Sequence, residues 1–267
     1  MKKFLEKIFD FIVSIFKKNE ETVYCVPDNG DCGYNGHLSE EKNDGEEPSS
    51  NTTATNDVIC IPTAPKSKLV VLLDNGHASS TPGKRSPCGT FREYEFNRDI
   101  VRKISCELDR LGIRNHILVP EEYEDIKLTE RANRANKYCD MYGAGNCILI
   151  SVHANAAGCG EWMNGRGWSI YTTKGNTKSD SYATIFYEEA EKVLPMYGMT
   201  LRKDMKDGDP DYEEDFTVIY KAKCPAVLTE NLFQDNKVDC EFLKSQTGRA
   251  VITFIHVNAI KRISELI

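Results

Sequence analysis

Two histidines and two glutamates occupy positions from which they could carry out metal-dependent hydrolysis. His77 ends the segment LVVLLDNGH, His153 follows the run ILISV, and Glu230 follows PAVLT. Glu93 lies in the segment FREYEFN, just before a helical pattern. Each apolar run has the length and composition of a buried strand, and each is followed by a residue that can bind a metal ion or transfer a proton.

The set of His77, Glu93 and His153 has the composition of a catalytic zinc site rather than a structural one. A catalytic Zn²⁺ ion is commonly bound by three protein ligands and keeps its fourth position open. Such an ion polarises a carbonyl group and acidifies a bound water molecule. A carboxylate that does not bind the metal can take the proton of that water and pass it to a leaving amine. We therefore predict Glu93 as the third ligand and Glu230 as the general base.

The alternative interpretation is that these residues share no site. A single His is more often a surface residue or a hydrogen-bonded core residue, and a Glu near a strand end is more often solvated. By that measure His37, His116 and His256 remain unassigned. The metal-binding candidates are also widely spaced and match no short motif such as HExxH. The predicted site therefore depends on a fold that brings distant segments together.

Alternating strand and helix patterns from residue 68 onward predict such a fold. Strand patterns cover KLVVLLDNG, IRNHILVP, NCILISVHAN, GWSIYTT and CPAVLTENL. Helical patterns cover residues 97–111, stopped by Gly112, then LTERANRANKYCDMYG, SDSYATIFYEEAEKVL and residues 247–267. This order predicts an α/β fold with a mostly parallel central sheet and helices on both faces. In open α/β sheets the chemistry lies outside the carboxyl ends of the strands, where the candidate residues stand.

The first 66 residues differ in composition from the rest. Residues 4–16, FLEKIFDFIVSIF, place apolar and charged side chains on opposite halves of a helical wheel, which predicts an amphipathic helix within residues 1–18. It is too short to cross a bilayer, and its charges do not suit a cleavable signal peptide. It either lies on a membrane surface or docks on the domain or a partner. Residues 19–66 are polar and poor in large apolar residues, which predicts a disordered linker.

Charge and cysteine usage exclude some functions. The chain of 267 residues has a net charge of -7, and much of its acidic excess lies in residues 19–58. This balance argues against a nucleic-acid partner, for which a basic face would be expected. None of the 10 cysteines forms a CxxC pair or a zinc-finger cluster, and we expect most of the thiols to be unpaired. Residues 202–216, RKDMKDGDPDYEEDF, could line a substrate groove, although a solvated loop is the simpler interpretation.

Residues 68–264 resemble the zinc-dependent N-acetylmuramoyl-L-alanine amidases. VVLLDNGH resembles the strand that ends in Asp-x-Gly-His, and REYEFNRDIVRKI resembles the segment that supplies a glutamate ligand. LTERANRANKY and ILISVHANA are similar to the Leu-x-x-Arg, Ala-Asn and Ser-x-His-Ala-Asn run, and CPAVLTENLFQDN to the strand of the catalytic glutamate. The resemblance implies Zn²⁺ bound by His77, Glu93 and His153, with Glu230 as the catalytic residue. Glu95 competes with Glu93, but the family spacing of four residues before Asn97 favours Glu93.

The resemblance also implies a function. Members hydrolyse the amide bond between N-acetylmuramic acid and L-alanine in peptidoglycan, so this chain would be a cell-wall-degrading hydrolase of the endolysin-like or bacterial type. Zinc would polarise the carbonyl and hold the attacking water, while Glu230 would act as general base and then as general acid. The catalytic domain would span residues 67–267 and contain a six-stranded sheet. Its partner would be peptidoglycan, reached at the periplasmic or extracellular face of the cell envelope by an export route that the sequence does not indicate.

Two departures from the family pattern keep other functions open. Residues 78–80, Ala-Ser-Ser, and the longer loop TPGKRSPCGTF replace a glycine pair after the first ligand. Glu230 is followed by Asn231 and Leu232, where the family often has Glu-x-Gly-Phe. The alternatives are a non-catalytic peptidoglycan-binding module on the same fold and a zinc peptidase that acts on another amide.

Overall fold

The computed structural model describes Phe11 and residues 67–267. Apart from Phe11, the predicted amphipathic helix of residues 1–18 and the predicted linker of residues 19–66 lie outside the described residues. The ring of Phe11 packs edge-on against the ring of Phe254, with 5.0 Å between the ring centroids. Within the described part of the chain, no helix has the length and apolar character needed to cross a bilayer. Contact of residues 4–16 with a membrane surface stays a prediction.

Strands and helices alternate along most of residues 67–267. The strands of this region are β1 (Val70–Asn75), β2 (Arg114–Ile117), β3 (Cys147–Asn155), β4 (Ser169–Thr172), β5 (Tyr212–Glu213) and β6 (Ala226–Phe233). Its α-helices are α1 (Glu93–Leu111), α2 (Leu128–Tyr142), α3 (Lys178–Val193), α4 (Thr217–Tyr220), α5 (Lys237–Lys244) and α6 (Gln246–Ser264). Short 3-10 turns follow α2 at Ala144–Asn146 and α3 at Leu194–Tyr197.

The strands form one six-stranded sheet in the order β2-β1-β3-β6-β4-β5. Strand β1 pairs with β2 and β3, β3 pairs with β6, and β4 pairs with β5, all in parallel. Strand β4 runs antiparallel to β6. The predicted α/β fold with a mostly parallel six-stranded sheet is therefore confirmed.

Alternate residues of β1 enter two separate apolar cores. Val71 and Leu73 pack into the larger core, together with side chains of α1, α3, α5 and α6. Val70 and Leu72 pack into the smaller core with α2 and α4. Because helices cover both faces of the sheet, all six residues of β1 are buried, as is typical of a central parallel strand.

Helix α1 begins one turn earlier than its apolar pattern predicts. The pattern starts at Asn97, whereas the helix starts at Glu93. The added turn contains Glu93, a buried carboxylate that an apolar pattern does not predict, together with Phe96, which packs into the larger core. The helix ends at Gly112, whose φ of 70° is left-handed and lets its N–H reach two carbonyls of the last turn.

The described cysteines include four buried thiols and two exposed ones. The free thiols are those of Cys88, Cys139, Cys147, Cys159, Cys224 and Cys240. Three of the buried ones, at positions 139, 147 and 224, belong to the smaller core. Among the residues that the structure describes, no cysteine belongs to a group of three ligands close enough to hold a metal ion.

Candidate active site

The structure brings His77, Glu93 and His153 together at the carboxyl edge of the sheet. His77 follows β1, His153 lies near the end of β3, and Glu93 is the first residue of α1. One ligand atom from each of the three lies within 4.8 Å of the others. The Oε1 atom of Glu93 is 3.3 Å from Nε2 of His77 and 3.1 Å from Nδ1 of His153. In the described part of the chain, this is the one group of its kind.

In the turn after β1, the His153 ring packs so closely on Gly76 that no space is left for a side chain there. A Cβ atom on Gly76 would lie 2.1 Å from Cε1 and 2.5 Å from Nε2 of the His153 ring. The next residue, His77, has a left-handed φ of 63°, which is strained for a residue with a side chain. Helix α1 fixes this turn, because Asn97 Nδ2 donates to the Gly76 carbonyl at 3.1 Å and Arg98 Nη1 to the His77 carbonyl at 2.8 Å.

The Glu93 carboxylate is buried and oriented by partners on other elements. Its Oε2 atom accepts a hydrogen bond from Gln234 Nε2 at 3.0 Å, and its Oε1 atom accepts one from the Ala154 N–H at 3.2 Å. Glu95, the competing residue, is exposed and accepts a hydrogen bond from the Tyr94 hydroxyl instead. The geometry therefore brings Glu93, and not Glu95, to the two histidines.

Glu230 lies beside His153 because the two residues are paired in the β3–β6 register. The Glu230 side chain is half-buried, and its Oε2 atom is fully buried without a hydrogen-bond partner. The following residue, Asn231, holds the two strands together at this point. Its Nδ2 atom donates to the His153 carbonyl at 3.0 Å, and its Oδ1 atom accepts from Trp168 Nε1 at 2.8 Å.

Burial and neighbouring charges shift the titration of all four groups. Burial alone would raise the pKa of Glu93, but hydrogen bonds from His153 and His77 hold it well below its usual range. Burial lowers the pKa of His77. The pKa of His153 is raised, because the Glu93 contact outweighs burial. Burial raises the pKa of Glu230 to about 7, an effect that positive charge on His153 reduces and the Glu93 carboxylate reinforces.

The donor set fits a tetrahedral zinc ion. Two ligand atoms at the usual 2.0–2.1 Å from such an ion stand about 3.3 Å apart. The separations of the Glu93 oxygen from the two imidazole nitrogens, 3.3 and 3.1 Å, agree with this spacing. Two imidazoles and one carboxylate also form the donor set that leaves a fourth position open. Bound zinc would thus be held by His77, Glu93 and His153.

The remaining described histidines take no part in the cluster. The His116 ring stacks on a tyrosine ring of α2 at a centroid distance of 4.0 Å. His256 is buried in α6, where its Nε2 atom lies 3.0 Å from the Thr229 hydroxyl and its Nδ1 atom 2.8 Å from the Ile252 carbonyl. His37 lies outside the described residues.

Sequence reasoning missed two residues that shape the site. Gln234 orients Glu93, and Asn231 joins β3 to β6. Both lie in the segment ENLFQDN, directly after the glutamate that the sequence did single out. Their polar side chains next to a predicted buried strand were the available signal.

Comparison with known proteins identifies the family of this chain. The family model described as N-acetylmuramoyl-L-alanine amidase matches residues 71–262. The N-acetylmuramoyl-L-alanine amidase CwlM of Bacillus licheniformis is 31% identical over 205 residues, which cover 72% of this chain and 67% of that protein. The endolysin of Bacillus phage SPP1 is 27% identical over 203 residues, 75% of this chain and 67% of the endolysin.

A solved structure supports the fold. The amidase Ami1 of Mycobacterium smegmatis superposes with a TM-score of 0.61 at 20% sequence identity, covering 76% of this chain and 100% of that one. The region that matches the family model contains the six strands of the described residues, except Val70 at the start of β1, and the cluster at their carboxyl edge. The chain belongs to the N-acetylmuramoyl-L-alanine amidase family of peptidoglycan hydrolases.

Proposed function

We propose that this amidase cleaves the bond between N-acetylmuramic acid and L-alanine with a Zn²⁺ ion held by His77, Glu93 and His153, and with Glu230 as general base and then general acid. The family gives the reaction class, namely amide hydrolysis in peptidoglycan. The identity of the metal and the roles of the four residues are the proposal. The place of action would be the cell envelope, outside the cytoplasm.

The buried Oε2 atom of Glu230 is the observation that carries this proposal. A buried carboxylate oxygen without a hydrogen-bond donor costs free energy, so such atoms are rare in folded proteins. Here the atom stands beside His153, in register on the neighbouring strand. A water molecule or a substrate N–H placed at the site would supply the missing donor. Because this oxygen has no protein donor, Glu230 is free to accept a proton from such a group and to donate it again.

The residues of this chain would divide the chemistry among them. When bound, zinc supplies a Lewis acid that polarises the scissile carbonyl and lowers the pKa of water. Glu230 takes the proton from the attacking water and then gives it to the amide nitrogen as the carbon–nitrogen bond breaks. A pKa of about 7 suits a group that must both accept and donate a proton near neutral pH. Gln234 keeps the Glu93 carboxylate aimed at the two histidines.

A cavity of about 440 Å³ has Gln234, the hydrogen-bond partner of Glu93, in its wall and is the candidate site for the stem peptide. It is lined in part by Lys84, Arg85, Cys159 and Gln234. Burial raises the pKa of Glu230, and the positive charge of Lys84 opposes part of this rise, so the basic loop influences the titration of Glu230. Two cations in the wall of this cavity would attract the carboxylates of a peptide. The loop TPGKRSPCGTF, a departure from the family pattern, thus has a substrate-binding role in the proposal.

Product analysis on purified peptidoglycan tests the function. The zinc-loaded full chain should release stem peptides with a free amino group on L-alanine and leave muramic acid with a free lactyl carboxyl group. A new terminus between two amino acids would indicate a zinc peptidase instead. Binding to peptidoglycan without any new terminus, in zinc-replete buffer, would indicate a non-catalytic module.

Two matched substitutions test the role of Glu230. Glu230→Gln should reduce the turnover number by about 100- to 10,000-fold, the usual contribution of a general acid–base group, while one zinc per chain is kept. Glu95→Gln changes an exposed glutamate of α1 and should leave both quantities unchanged. Turnover by the Glu230 variant at the wild-type rate would rule out its assigned role.

A further inference from the structure

The hydroxyl group of Ser169 is buried and unpaired at the start of β4. Ser169 is the first residue of that strand and is 0% exposed. Its Oγ atom has no hydrogen-bond partner in the part of the chain that the structure describes. A buried hydroxyl that is left unpaired costs free energy, so such groups are uncommon in folded proteins. The fold therefore supplies no structural reason for a serine at this position.

The β4–β6 pairing places Ser169 directly opposite Glu230. The two residues face each other in the antiparallel register. On its other side, Glu230 pairs with His153 in the parallel β3–β6 register. Paired residues present their side chains to the same face of a sheet, and the Cβ atoms of an antiparallel pair stand about 4.5–5.5 Å apart. Glu230 is thus flanked by a proposed zinc ligand and by the Ser169 hydroxyl.

The two facing side chains each contain a buried polar atom without a partner among the described residues. One is the Oε2 atom of Glu230, and the other is the Oγ atom of Ser169. Their chemistry is complementary, because the hydroxyl carries a hydrogen atom and the carboxylate oxygen can only accept one. The flexible glutamate side chain can close this contact, since catalytic hydrogen bonds often tighten only when the substrate is bound.

A hydroxyl suits a group that acts first as a base and then as an acid. It has one hydrogen to donate and two lone pairs with which to accept, and the hydrogen rotates about the C–O bond. It can therefore donate to ionised Glu230 before proton transfer and accept from protonated Glu230 afterwards. A Lys or Arg side chain could only donate and would favour the ionised state throughout.

We propose that Ser169 is a positioning residue that holds the Glu230 carboxyl group in both of its protonation states during amide hydrolysis. This inference rests on the proposed role of Glu230 and adds a residue of β4 to the site. Ser169 acts through Glu230 and does not itself contact the scissile bond. The hydrogen bond that its hydroxyl lacks in the resting fold forms during turnover.

Tyr171 is the alternative partner of the Ser169 hydroxyl. It lies two residues further along β4, on the same face of the sheet. Burial raises the pKa of Tyr171, and the Ser169 hydroxyl opposes part of this rise, so the two hydroxyls are neighbours. They do not stand in hydrogen-bonding geometry, because the Ser169 Oγ atom has no partner among the described residues. Tyr171→Phe separates the two roles and should leave turnover at the wild-type rate.

A matched pair of buried serines tests whether the Ser169 hydroxyl serves the fold or the site. Ser151, on β3, donates its hydroxyl hydrogen to Asp74 at 2.6 Å, whereas Ser169 has no such acceptor among the described residues. Ser151→Ala should therefore lower the urea midpoint of unfolding, and Ser169→Ala should leave it unchanged or raise it. A clear fall in the midpoint of the Ser169 variant would show a structural role and overturn the proposal.

Kinetics of the zinc-loaded full chain on a soluble muramyl peptide test the link to Glu230. Ser169→Ala should lower kcat by about 10- to 100-fold, because the base loses its alignment. KM and zinc content should stay close to those of the wild type. In a Glu230→Gln background, the same substitution should have no further effect, since the group that it positions is already gone.

The outcomes distinguish this inference from the proposed function. Wild-type turnover in Ser169→Ala beside an inactive Glu230→Gln chain would overturn this inference alone. An equal loss in the Glu230→Gln background would do the same, as would a matching loss in Tyr171→Phe. Wild-type turnover in Glu230→Gln would overturn the proposed function and this inference with it.

Discussion

Two buried polar clusters lie within four residues of each other at the end of β1, and they differ in how completely their atoms are paired. In the first, Arg131 donates to Asp74, to the Asn75 carbonyl and to the Ile126 carbonyl, each at 2.8 Å. The other oxygen of Asp74 accepts from Ser151 at 2.6 Å. In the second, the proposed catalytic cluster of His77, Glu93, His153 and Glu230, a buried oxygen of Glu230 has no donor.

The difference separates a cluster whose polar atoms are paired within the protein from one that can still accept a ligand. The Asp74–Arg131 pair is closed, since both carboxylate oxygens and every part of the guanidinium fork meet protein partners. A closed pair of this kind fixes the fold but offers nothing to a ligand. The proposed catalytic cluster is open, because the buried Glu230 oxygen can still accept a hydrogen bond. The Leu-x-x-Arg motif of α2 thus supports the strand end from which His77 is presented.

Removal of Arg131 should have the largest effect on stability. Arg131→Ala leaves Asp74 as a buried charge without its main partner, so we expect the free energy of unfolding to fall by about 3–5 kcal/mol. Arg134→Ala, on the same helix, removes a partly exposed pair with Glu121 and should cost about 1 kcal/mol or less. Urea unfolding of the two variants measures both values. Equal costs would show that the Asp74–Arg131 pair is no more structural than a surface pair.

Acid should destabilise the protein through His256, a buried histidine whose two ring nitrogens both have partners. Burial lowers the pKa of His256 to about 4, although the Ile252 carbonyl opposes this. The unfolded chain binds the proton near pH 6.5, so His256 contributes its full stability above that pH. The contribution is lost as the pH falls from 6.5 to about 4, and amounts to about 3 kcal/mol in total.

Unfolding free energies of the wild type and of His256→Gln, measured between pH 7 and pH 4, isolate this contribution. The variant should show a flatter dependence on pH over that range, whatever its absolute stability. Identical slopes for the two proteins would mean that His256 does not remain neutral in the folded state.

Removal of Gln234 should have the smallest effect of the three and tests the proposed catalytic cluster instead of the Asp74–Arg131 pair. Gln234→Ala deletes the donor that orients Glu93 but leaves all three proposed ligands in place. We expect the affinity for zinc to fall by about 10- to 100-fold, the usual effect of losing such a supporting hydrogen bond. Competition with a chromophoric chelator measures the change. An unaltered affinity would indicate that the Ala154 N–H alone suffices to orient the carboxylate.

The sequence predicted the elements with long patterns and the residues at their ends. β1, β3 and β6 have continuous apolar runs, so His77, His153 and Glu230 could be placed at one edge. The start of α1 was predicted four residues too late, because Glu93 is buried by polar contacts that no apolar pattern reveals. The two-residue β5 and the short α4 and α5 depend on tertiary packing. The closeness of Glu230 to His153 follows from the β3–β6 register, which is a property of the folded chain.

Gly76 places a constraint on how this protein can evolve. The flat face of the His153 imidazole occupies the space where any other amino acid would put its first side-chain carbon. Even the methyl group of alanine would displace this ring, which is one of the proposed metal ligands. A substitution at position 76 would therefore move the His153 imidazole away from His77 and Glu93.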